Sequence, residues 1–541
     1  MLVYLLNKNR ISYSGKNFIF CTSCQLNMKG DNSMIFIGID SGTQSTKALA
    51  ADGNTGRILA TASHPTPLIE NLPPGHKEQH PEDWWNALKI AMNDVLKKSG
   101  VNPKDVRGIG VSGQQHGFVP LDKDGRVIRP AKIWCDTSTA QQCEEILERV
   151  GGLEHCIQLI GNGVPAGFTA SKILWLKENE PKNYARLHTV LLPHDYLNFR
   201  LTGERRMEWG DASGTSLMDV RSRQWRRELV NAIDPALMEK LPPLAPSWEP
   251  AGIVQPSIAD EFGFSYDVIV SAGGGDNMMG AIGTGNVRTG IVTASLGTSG
   301  TIYAYSESPV IDPQGEIAAF CDSTGKWLPL LCVMNVTVST ELARALFDMN
   351  FTELDAAVEK TPVGAGGLCL LPYFEGERTP NVPDGTGVLF GINARTFEKA
   401  HIARAAMEGA TMTMNYGLNR LRELGINAKE IRLTGGGSKS AVWRRILADV
   451  FDAEVVAMEH AEGAAYGGAI QARWAFARQK EEALSIEKIT AEWVKMDERT
   501  RVSPNKNNAA FYTQLQTLHD QISFSLRSAF HAHRQITWKT S

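Results

Sequence analysis

Two carboxylates in open surroundings are the first candidates for chemistry. Asp276 lies in the glycine-rich segment 273–277 after an apolar run, and Asp40 ends the apolar run that starts at Ile35. Glycines on its flanks leave a carboxylate open to a substrate hydroxyl, as a general base requires. The alternative for Asp276 is a structural cap of the helix that follows. Two carboxylates at strand ends suit phosphoryl transfer, one near metal and phosphates and one beside the attacking hydroxyl.

Each half of the chain contains a Gly-Thr turn between two predicted strands. Residues 41–47 have the sequence Ser-Gly-Thr-Gln-Ser-Thr-Lys, and residues 295–300 have the sequence Ser-Leu-Gly-Thr-Ser-Gly. The backbone N–H groups of such turns, with hydroxyls such as those of Thr43 and Thr298, can bind phosphate oxygens. Either turn alone is also typical of an ordinary hairpin. Their repetition favours a polyphosphate held between the two.

A third glycine cluster occupies residues 435–440, with the sequence Gly-Gly-Gly-Ser-Lys-Ser. It lies between a predicted strand at 431–434 and a predicted helix at 443–449. A glycine turn that leads into a helix lets a nucleotide approach the backbone and the positive end of the helix dipole. The spacing matches neither the dinucleotide-binding pattern nor the P-loop. The cluster therefore indicates a nucleotide site only together with the two turns.

Polar side chains also follow a predicted strand at residues 106–111. Gln114, Gln115 and His116 stand there between Gly113 and Gly117. A single histidine is more often structural than functional. Here the flanking glycines and the carboxyl end of a predicted parallel strand favour a ligand site, because open α/β sheets bind ligands at that edge. These side chains can hydrogen-bond several hydroxyls of one ligand.

The elements that must position these residues alternate between strand and helix. A helix is predicted at 81–98, with Pro81 at its first position, Glu82 and Asp83 in the first turn, and Gly100 beyond its end. The pattern of strand, Gly-Thr turn and strand at 35–51 returns at 291–304. The sequence therefore predicts an α/β protein with a duplicated domain and a cleft between the copies.

Composition excludes several classes of protein. The chain has 541 residues, 43% of them hydrophobic and 21% charged, with a formal net charge of −4. These values predict a globular protein of several domains, with no nucleic-acid partner and no membrane span. The eight cysteines lack paired metal spacing, since the Cys21 and Cys24 pair has no second pair after it. The other six are interpreted as reduced thiols of a cytoplasmic protein.

Six segments together resemble the FGGY family of carbohydrate kinases, within the actin-like ATPase superfamily. They are residues 38–43, 112–117, 167–179, 273–277, 295–300 and 435–440. The resemblance implies two duplicated actin-like (ribonuclease H-like) domains with an interdomain cleft. The expected domains are a sugar-binding one at 34–284 and a nucleotide-binding one at 285–541, after a flexible extension at 1–33.

The resemblance also implies roles for individual residues. Asp276 is expected to be the catalytic base, and Asp40 the second catalytic carboxylate, beside Mg²⁺ and the transferred phosphoryl group. The remaining expected contacts are Gln115, His116, Asp276 and Asn277 with the sugar, Thr43, Lys47 and Thr298 with the ATP phosphates, and Gly436, Gly437 and Ser440 with the adenosine side.

The activity that the resemblance implies is ATP-dependent phosphorylation of a pentulose, with D-xylulose, giving D-xylulose 5-phosphate, preferred as acceptor. Relatives that phosphorylate glycerol carry an Arg-Glu pair where Gln115 and His116 stand here. Ribulose, gluconate or a polyol is the alternative acceptor, and an actin-like ATPase scaffold is the alternative class. The expected partners are the sugar and ATP, in the cytoplasm, with a possible homodimer.

Overall fold

Strands and helices of the computed structural model span residues 34–537, the part of the chain that it describes. The predicted extension at 1–33, with Cys21 and Cys24, lies outside the described residues. The strands are β1 Ile35–Ser41, β2 Ser45–Asp52, β3 Ile58–Pro65, β4 Glu78–Gln79, β5 Val106–Gly113, β6 Val119–Leu121, β7 Ala131–Lys132, β8 Thr189–Leu191, β9 Met207–Glu208, β10 Met218–Asp219, β11 Gln224–Trp225, β12 Leu244–Ala245, β13 Gly252–Ile253, β14 Ile269–Val270, β15 Gly274–Gly275, β16 Ile291–Leu296, β17 Gly300–Ala304, β18 Ala318–Cys321, β19 Trp327–Val333, β20 Cys369–Pro372, β21 Gly387–Phe390, β22 Glu430–Thr434 and β23 Glu454–Ala457.

The helices connect these strands and cover the sheets. They are α1 Pro81–Ser99, α2 Ala140–Arg149, α3 Leu153–Ile160, α4 Thr169–Asn179, α5 Pro181–Arg186, α6 Pro193–Thr202, α7 Trp209–Ala212, α8 Arg227–Ile233, α9 Pro256–Phe262, α10 Asp276–Gly283, α11 Thr337–Leu346, α12 Phe351–Lys360, α13 Lys399–Glu423, α14 Ala441–Phe451, α15 Gly463–Gln479, α16 Ile486–Trp493, α17 Lys506–Ser525 and α18 Arg527–Thr537. Across residues 34–537, none of them has the length and apolar character of a membrane span.

Two sheets share a five-strand order, which confirms the predicted duplication. The order is β3-β2-β1-β5-β14 in the first sheet and β19-β17-β16-β22-β23 in the second. The first sheet has the additional edge strand β13 beside β14, and the second has β18 beside β19. In the first sheet β1, β2 and β3 are antiparallel neighbours, and β5 pairs in parallel with β1. In the second sheet β16, β17 and β19 are antiparallel neighbours, and β22 pairs in parallel with β16. We call the first sheet with its helices the first lobe and the second sheet with its helices the second lobe.

The signals that the sequence places around α1 are all present in the structure. Pro81 begins the helix, Glu82 and Asp83 occupy its first turn, and Gly100 ends it with a φ of 65°. The acidic residues favour the positive end of the helix dipole, and glycine adopts the left-handed conformation with little strain. The buried face of α1, which includes Trp84 and Leu88, packs in the core of the first lobe.

Helix α15 follows the last strand of the second sheet but packs against the first sheet. A Cβ atom on Gly110 of β5 would lie 2.0 Å from the carbonyl oxygen of Gly468, so only glycine lets the two backbones come this close. Helix α15 also packs along α10, which leads from the first sheet to the second. The chain therefore passes from the first sheet to the second through α10, and α15 packs on both α10 and the first sheet. The domain boundary at 284/285 stays a prediction.

Candidate active site

Asp276 is the first residue of α10, directly after the short strand β15. Strand β15 pairs in parallel with β5 at Ser112 and Gly113, which brings Asp276 beside the polar segment that follows β5. The side chain is half-buried. Burial raises the pKa of Asp276 to about 7, and the negative charges of Asp40 and Asp211 raise it further. A carboxylate with such a pKa can accept a proton at neutral pH.

Asn277 connects Asp276 with both lobes. Its Nδ2 donates hydrogen bonds to Gln115 Oε1 at 2.6 Å and to Asp276 Oδ1 at 2.9 Å. Its Oδ1 accepts a hydrogen bond from Thr301 Oγ1, on β17 of the second lobe, at 2.9 Å. The structure therefore brings Gln115, Asp276 and Asn277 together, as the sequence predicts, and adds Thr301.

His116 is fixed from several sides in the wall of the first lobe. Its ring lies against Phe168 and Phe320, with centroids 4.5 Å and 5.3 Å away. Its Nδ1 is 3.2 Å from Asp211 Oδ1. A Cβ on Gly214 would lie only 2.0 Å from the ring, so this position must be glycine for the ring to fit.

The backbone of His116 is held by a buried lysine. The residue has a φ of 59°, an uncommon value for any residue other than glycine. Lys172 Nζ donates hydrogen bonds to the carbonyl oxygens of His116 and Gly167, at 2.9 Å and 2.6 Å. Burial lowers the pKa of Lys172 to about 7. The lysine thus stabilises an unusual backbone conformation at the site.

Asp211 joins two histidines beneath the site. Its Oδ2 is 3.2 Å from His194 Nδ1, and its other oxygen faces His116. Burial alone would raise the pKa of Asp211, but hydrogen bonds and charge from His116 and His194 outweigh it and lower that pKa to about 2. Asp211 therefore stays ionised and holds the ring of His116 in one orientation.

Asp40 lies at the end of β1, with Ser112 of β5 on one side and Lys47 of β2 on the other. Ser112 Oγ donates a hydrogen bond to Asp40 Oδ1 at 2.9 Å, and Lys47 is the cross-strand partner of Asp40. Burial raises the pKa of Asp40, while Ser112 and Lys47 oppose that rise. A half-buried carboxylate oxygen is a hard donor of the kind that Mg²⁺ prefers, so the residue fits the predicted metal.

The two Gly-Thr turns differ in how their side chains are used. Thr43 Oγ1 accepts a hydrogen bond from Trp134 Nε1 at 2.9 Å, whereas Thr298 is exposed at the tip of its turn. The carbonyl oxygens of Gly297 and Thr298 accept hydrogen bonds from Thr337 and Val336 N–H, both at 3.0 Å. The second turn is thereby fixed to the start of α11.

In the third glycine cluster, two of the three predicted contact residues serve the fold. Ser440 caps α14, accepting from Trp443 N–H at 3.2 Å and donating to Asp355 Oδ1 at 2.8 Å. Gly437 is buried against Trp443, while Gly436 is exposed with open space around it. Gly436 is thus the one of the three that leaves its backbone accessible.

One cavity of about 650 Å³ contains the predicted sugar residues Gln115, His116, Asp276 and Asn277 in its wall. The predicted phosphate, adenosine and metal residues are not in that wall. The cavity is also lined by Ser295 and Ser299 of the second Gly-Thr turn, and by residues to which the sequence gives no role, among them Trp134, Thr301 and Arg378. Ser299 belongs to a turn that the sequence singles out, but no spacing signal marks Trp134 or Arg378.

Three side chains that could bind a metal ion surround the ammonium group of a lysine instead. His76, Glu78 and Asp136 lie close enough to share an ion. The ammonium of Lys132 lies 3.2 Å from Glu78 Oε1 and 3.1 Å from Asp136 Oδ2. The cluster therefore balances a buried lysine charge.

Two lobes of one topology, with the Asp276 carboxylate in a cavity that residues of both lobes line, define an actin-like phosphotransferase. The model of the FGGY family of carbohydrate kinases, N-terminal domain, matches residues 35–283, and that of the C-terminal domain matches residues 292–476. The chain belongs to this family, and it is an enzyme of the carbohydrate kinase class.

Relatives of known name align along most of the chain. A xylulose kinase of Haemophilus influenzae is 42% identical over 485 residues, which are 88% of this chain and 97% of that protein. A xylulose kinase of Bacillus subtilis is 36% identical over 443 residues, 81% and 87% of the two chains. The crystal structure of a xyloylose kinase from Brucella ovis has a TM-score of 0.85 at 28% identity, covering 92% of this chain and 100% of that one.

Proposed function

We propose that this enzyme transfers the γ-phosphoryl group of ATP to the terminal hydroxyl of D-xylulose, giving D-xylulose 5-phosphate. The observation that carries the proposal is the Asp276 carboxylate, with a pKa of about 7, in the wall of a cavity lined by amide and imidazole side chains. The names of the relatives with the cited identities support D-xylulose as the acceptor.

In this mechanism Asp276 accepts the proton of the sugar hydroxyl as the hydroxyl oxygen attacks the γ-phosphorus of ATP in line. The bond between the γ-phosphorus and the bridging oxygen breaks, and ADP leaves with the electron pair of that bond. Asn277 and Gln115 orient the sugar, and their mutual hydrogen bond restricts both amides before the sugar arrives. His116, held by Asp211, accepts or donates a further sugar hydrogen bond. These fixed partners reduce the entropy lost when the reacting hydroxyl is aligned.

The phosphate side of the proposal uses Asp40, Lys47, Thr43 and Thr298. Asp40 would hold Mg²⁺, and Lys47 would place a positive charge near the phosphates. Mg²⁺, when bound, neutralises charge on the transferring phosphoryl group. Gly436 would let the adenosine side approach the backbone, with Gly437 and Ser440 shaping that loop.

A coupled assay of ADP release tests the acceptor. D-xylulose, D-ribulose, gluconate, glycerol and xylitol would be compared at equal concentration, and D-xylulose is expected to give the highest kcat/KM. A higher value for any of the others would overturn the proposed acceptor but not the kinase class.

Cytoplasmic location and homodimer formation stay predictions. The requirement for ATP supports the first. Cell fractionation would test the location, and light scattering of the purified chain would test the dimer.

A further inference from the structure

Arg378 is a cavity residue that the proposed mechanism does not use. It lies in the loop between β20 and β21, is half-buried, and lines the same cavity as Asp276 and His116. Within residues 34–537 its guanidinium makes no ion pair and no side-chain hydrogen bond, although its backbone N–H is bonded. Most arginines half-buried in a protein are paired, so a guanidinium facing a cavity indicates a ligand.

The loop that carries Arg378 is tightly anchored. The buried Glu377 Oε1 accepts hydrogen bonds from Met334 N–H at 2.6 Å and from Arg378 N–H at 2.8 Å. Its Oε2 accepts a hydrogen bond from Asn335 Nδ2 at 3.1 Å. The Arg378 side chain therefore starts from a fixed backbone position.

The side chain crosses from the second lobe to the wall of the first. Arg378 Nη2 lies 3.5 Å from the place where a Cβ on Gly167 would stand. Gly167 precedes Phe168, which packs on the His116 ring. Burial is the main cause of the lowered pKa of His116, and the charges of Lys172 and Arg378 lower it further. Arg378 is thus near His116, in the sugar part of the cavity.

The chemistry of the acceptor supplies a matching group. A 2-pentulose closes its furanose ring through the hydroxyl on carbon 5, the same oxygen that is phosphorylated in the proposed function. The reacting sugar must therefore be the open chain, which has a free ketone at carbon 2. A ketone oxygen only accepts hydrogen bonds, and a guanidinium only donates them.

We propose that the Arg378 guanidinium binds the ketone oxygen of the open-chain sugar and thereby selects ketoses over the corresponding alditols. The amides of Gln115 and Asn277 can satisfy hydroxyls as donors or acceptors, so they do not make this distinction. A hydroxyl oxygen can also accept from a guanidinium, but its own O–H then needs an acceptor, which a donor-only group does not supply. A ketone has no such hydrogen, so the alditol loses binding energy that the ketose keeps. This inference rests on the proposed function.

The test is calorimetric binding of D-xylulose and of xylitol, without ATP, to the whole protein and to Arg378→Ala and Arg378→Lys. Arg395→Ala is the matched control, since Arg395 is exposed in the same lobe and does not line the cavity. In Arg378→Ala the Kd of D-xylulose is expected to rise about 10-fold to 100-fold, by the usual worth of a charged hydrogen bond. The preference for D-xylulose over xylitol is expected to fall about tenfold. Arg378→Lys should lie between these values and those of the unchanged protein.

Several results would overturn the inference. Equal weakening for D-xylulose and xylitol, or no weakening for either, would show that Arg378 does not recognise the ketone. If Arg378→Ala has a lower kcat and a higher KM for ATP but an unchanged Kd for D-xylulose, Arg378 contacts the ATP phosphates and not the ketone. If Arg378→Ala has a lower melting temperature than Arg395→Ala, the Kd values of Arg378→Lys are used instead. An unchanged preference for D-xylulose over xylitol in Arg378→Lys would then overturn the inference. If the unchanged protein prefers another ketose, the proposed acceptor fails, and the same comparison is made with that ketose and its alditol.

Discussion

At the residue scale, the environment of Asp276 matters more than its identity as an aspartate. Burial and the charges of Asp40 and Asp211 raise its pKa from the ordinary value of 3.8 to about 7. The same shift that makes it a useful base costs folding free energy, because its charged form is less stable in the folded protein than in the unfolded chain.

The pH dependence of the reaction should report this carboxylate. Because the base must be ionised, kcat/KM for D-xylulose is expected to fall about tenfold per pH unit below pH 7 and to level off above it. Initial rates at saturating ATP between pH 5.5 and 8.5 would measure the profile. A profile that stays level down to pH 5.5 would contradict the assignment.

Asp276→Asn should separate activity from stability. Loss of the base is expected to lower kcat by about 10² or more. The folded-state pKa is raised, so the stability contributed by the group is present below the unfolded pKa and is lost as pH rises through 7. At pH 8 the variant should therefore melt about 1–3 °C higher than the unchanged protein.

The control for this prediction is Asp94→Asn, because Asp94 is exposed on α1. Its kcat and its melting temperature at pH 8 should match those of the unchanged protein. An Asp276→Asn enzyme with normal turnover would remove the residue from its proposed role.

At the element scale, one close contact of a helix with a sheet supports the cleft. Strand β5 carries the segment with Gln115 and His116 at its end, and α15 packs directly on that strand. A displacement of α15 would therefore shift β5 and, with it, Gln115 and His116 in the cavity wall.

Gly110→Ala tests this packing. Its new Cβ would stand 2.0 Å from Gly468 O, so the helix or the strand must move. Urea denaturation is expected to show a loss of roughly 1–3 kcal/mol or more in unfolding free energy, as for overpacked cores. Gly436→Ala is the matched control for stability, since no atom lies within 4 Å of its new Cβ. Equal midpoints for the two variants would refute the contact as a determinant of stability.

At the scale of the whole molecule, the two lobes contribute different groups to one reaction. Asn277 accepts a hydrogen bond from the second lobe through Thr301 and donates one to the first through Gln115. A sugar in this position would contact both lobes, and lobe closure around it would exclude water.

ATP hydrolysis without sugar should consequently be slow. We expect a rate at least about 10² below that of D-xylulose phosphorylation, because water alone would not align the groups of the two lobes. Phosphate release without sugar and ADP release with saturating D-xylulose would be measured in one buffer. Hydrolysis at the full rate without sugar would favour the actin-like ATPase scaffold instead.

The sequence by itself determined the elements and the positions of the polar turns between them. Strand β1, helix α1 and the glycine segment before α10 are marked by apolar runs, caps and glycines within a few residues. Such signals are local, so they can be recognised from a short segment of sequence alone. The same holds for Gln115, His116 and Asp276, each of which lies within two residues of a glycine.

Only the tertiary structure decided which distant residues complete the site. Asp211 beneath His116, Arg378 in the cavity wall, and the packing of α15 on the first sheet have no periodic or spacing signal. Ser440 shows the reverse case, since its hydroxyl is used as a helix cap. Contacts between residues hundreds of positions apart depend on how two folded sheets meet, and that meeting is set by packing over the whole molecule.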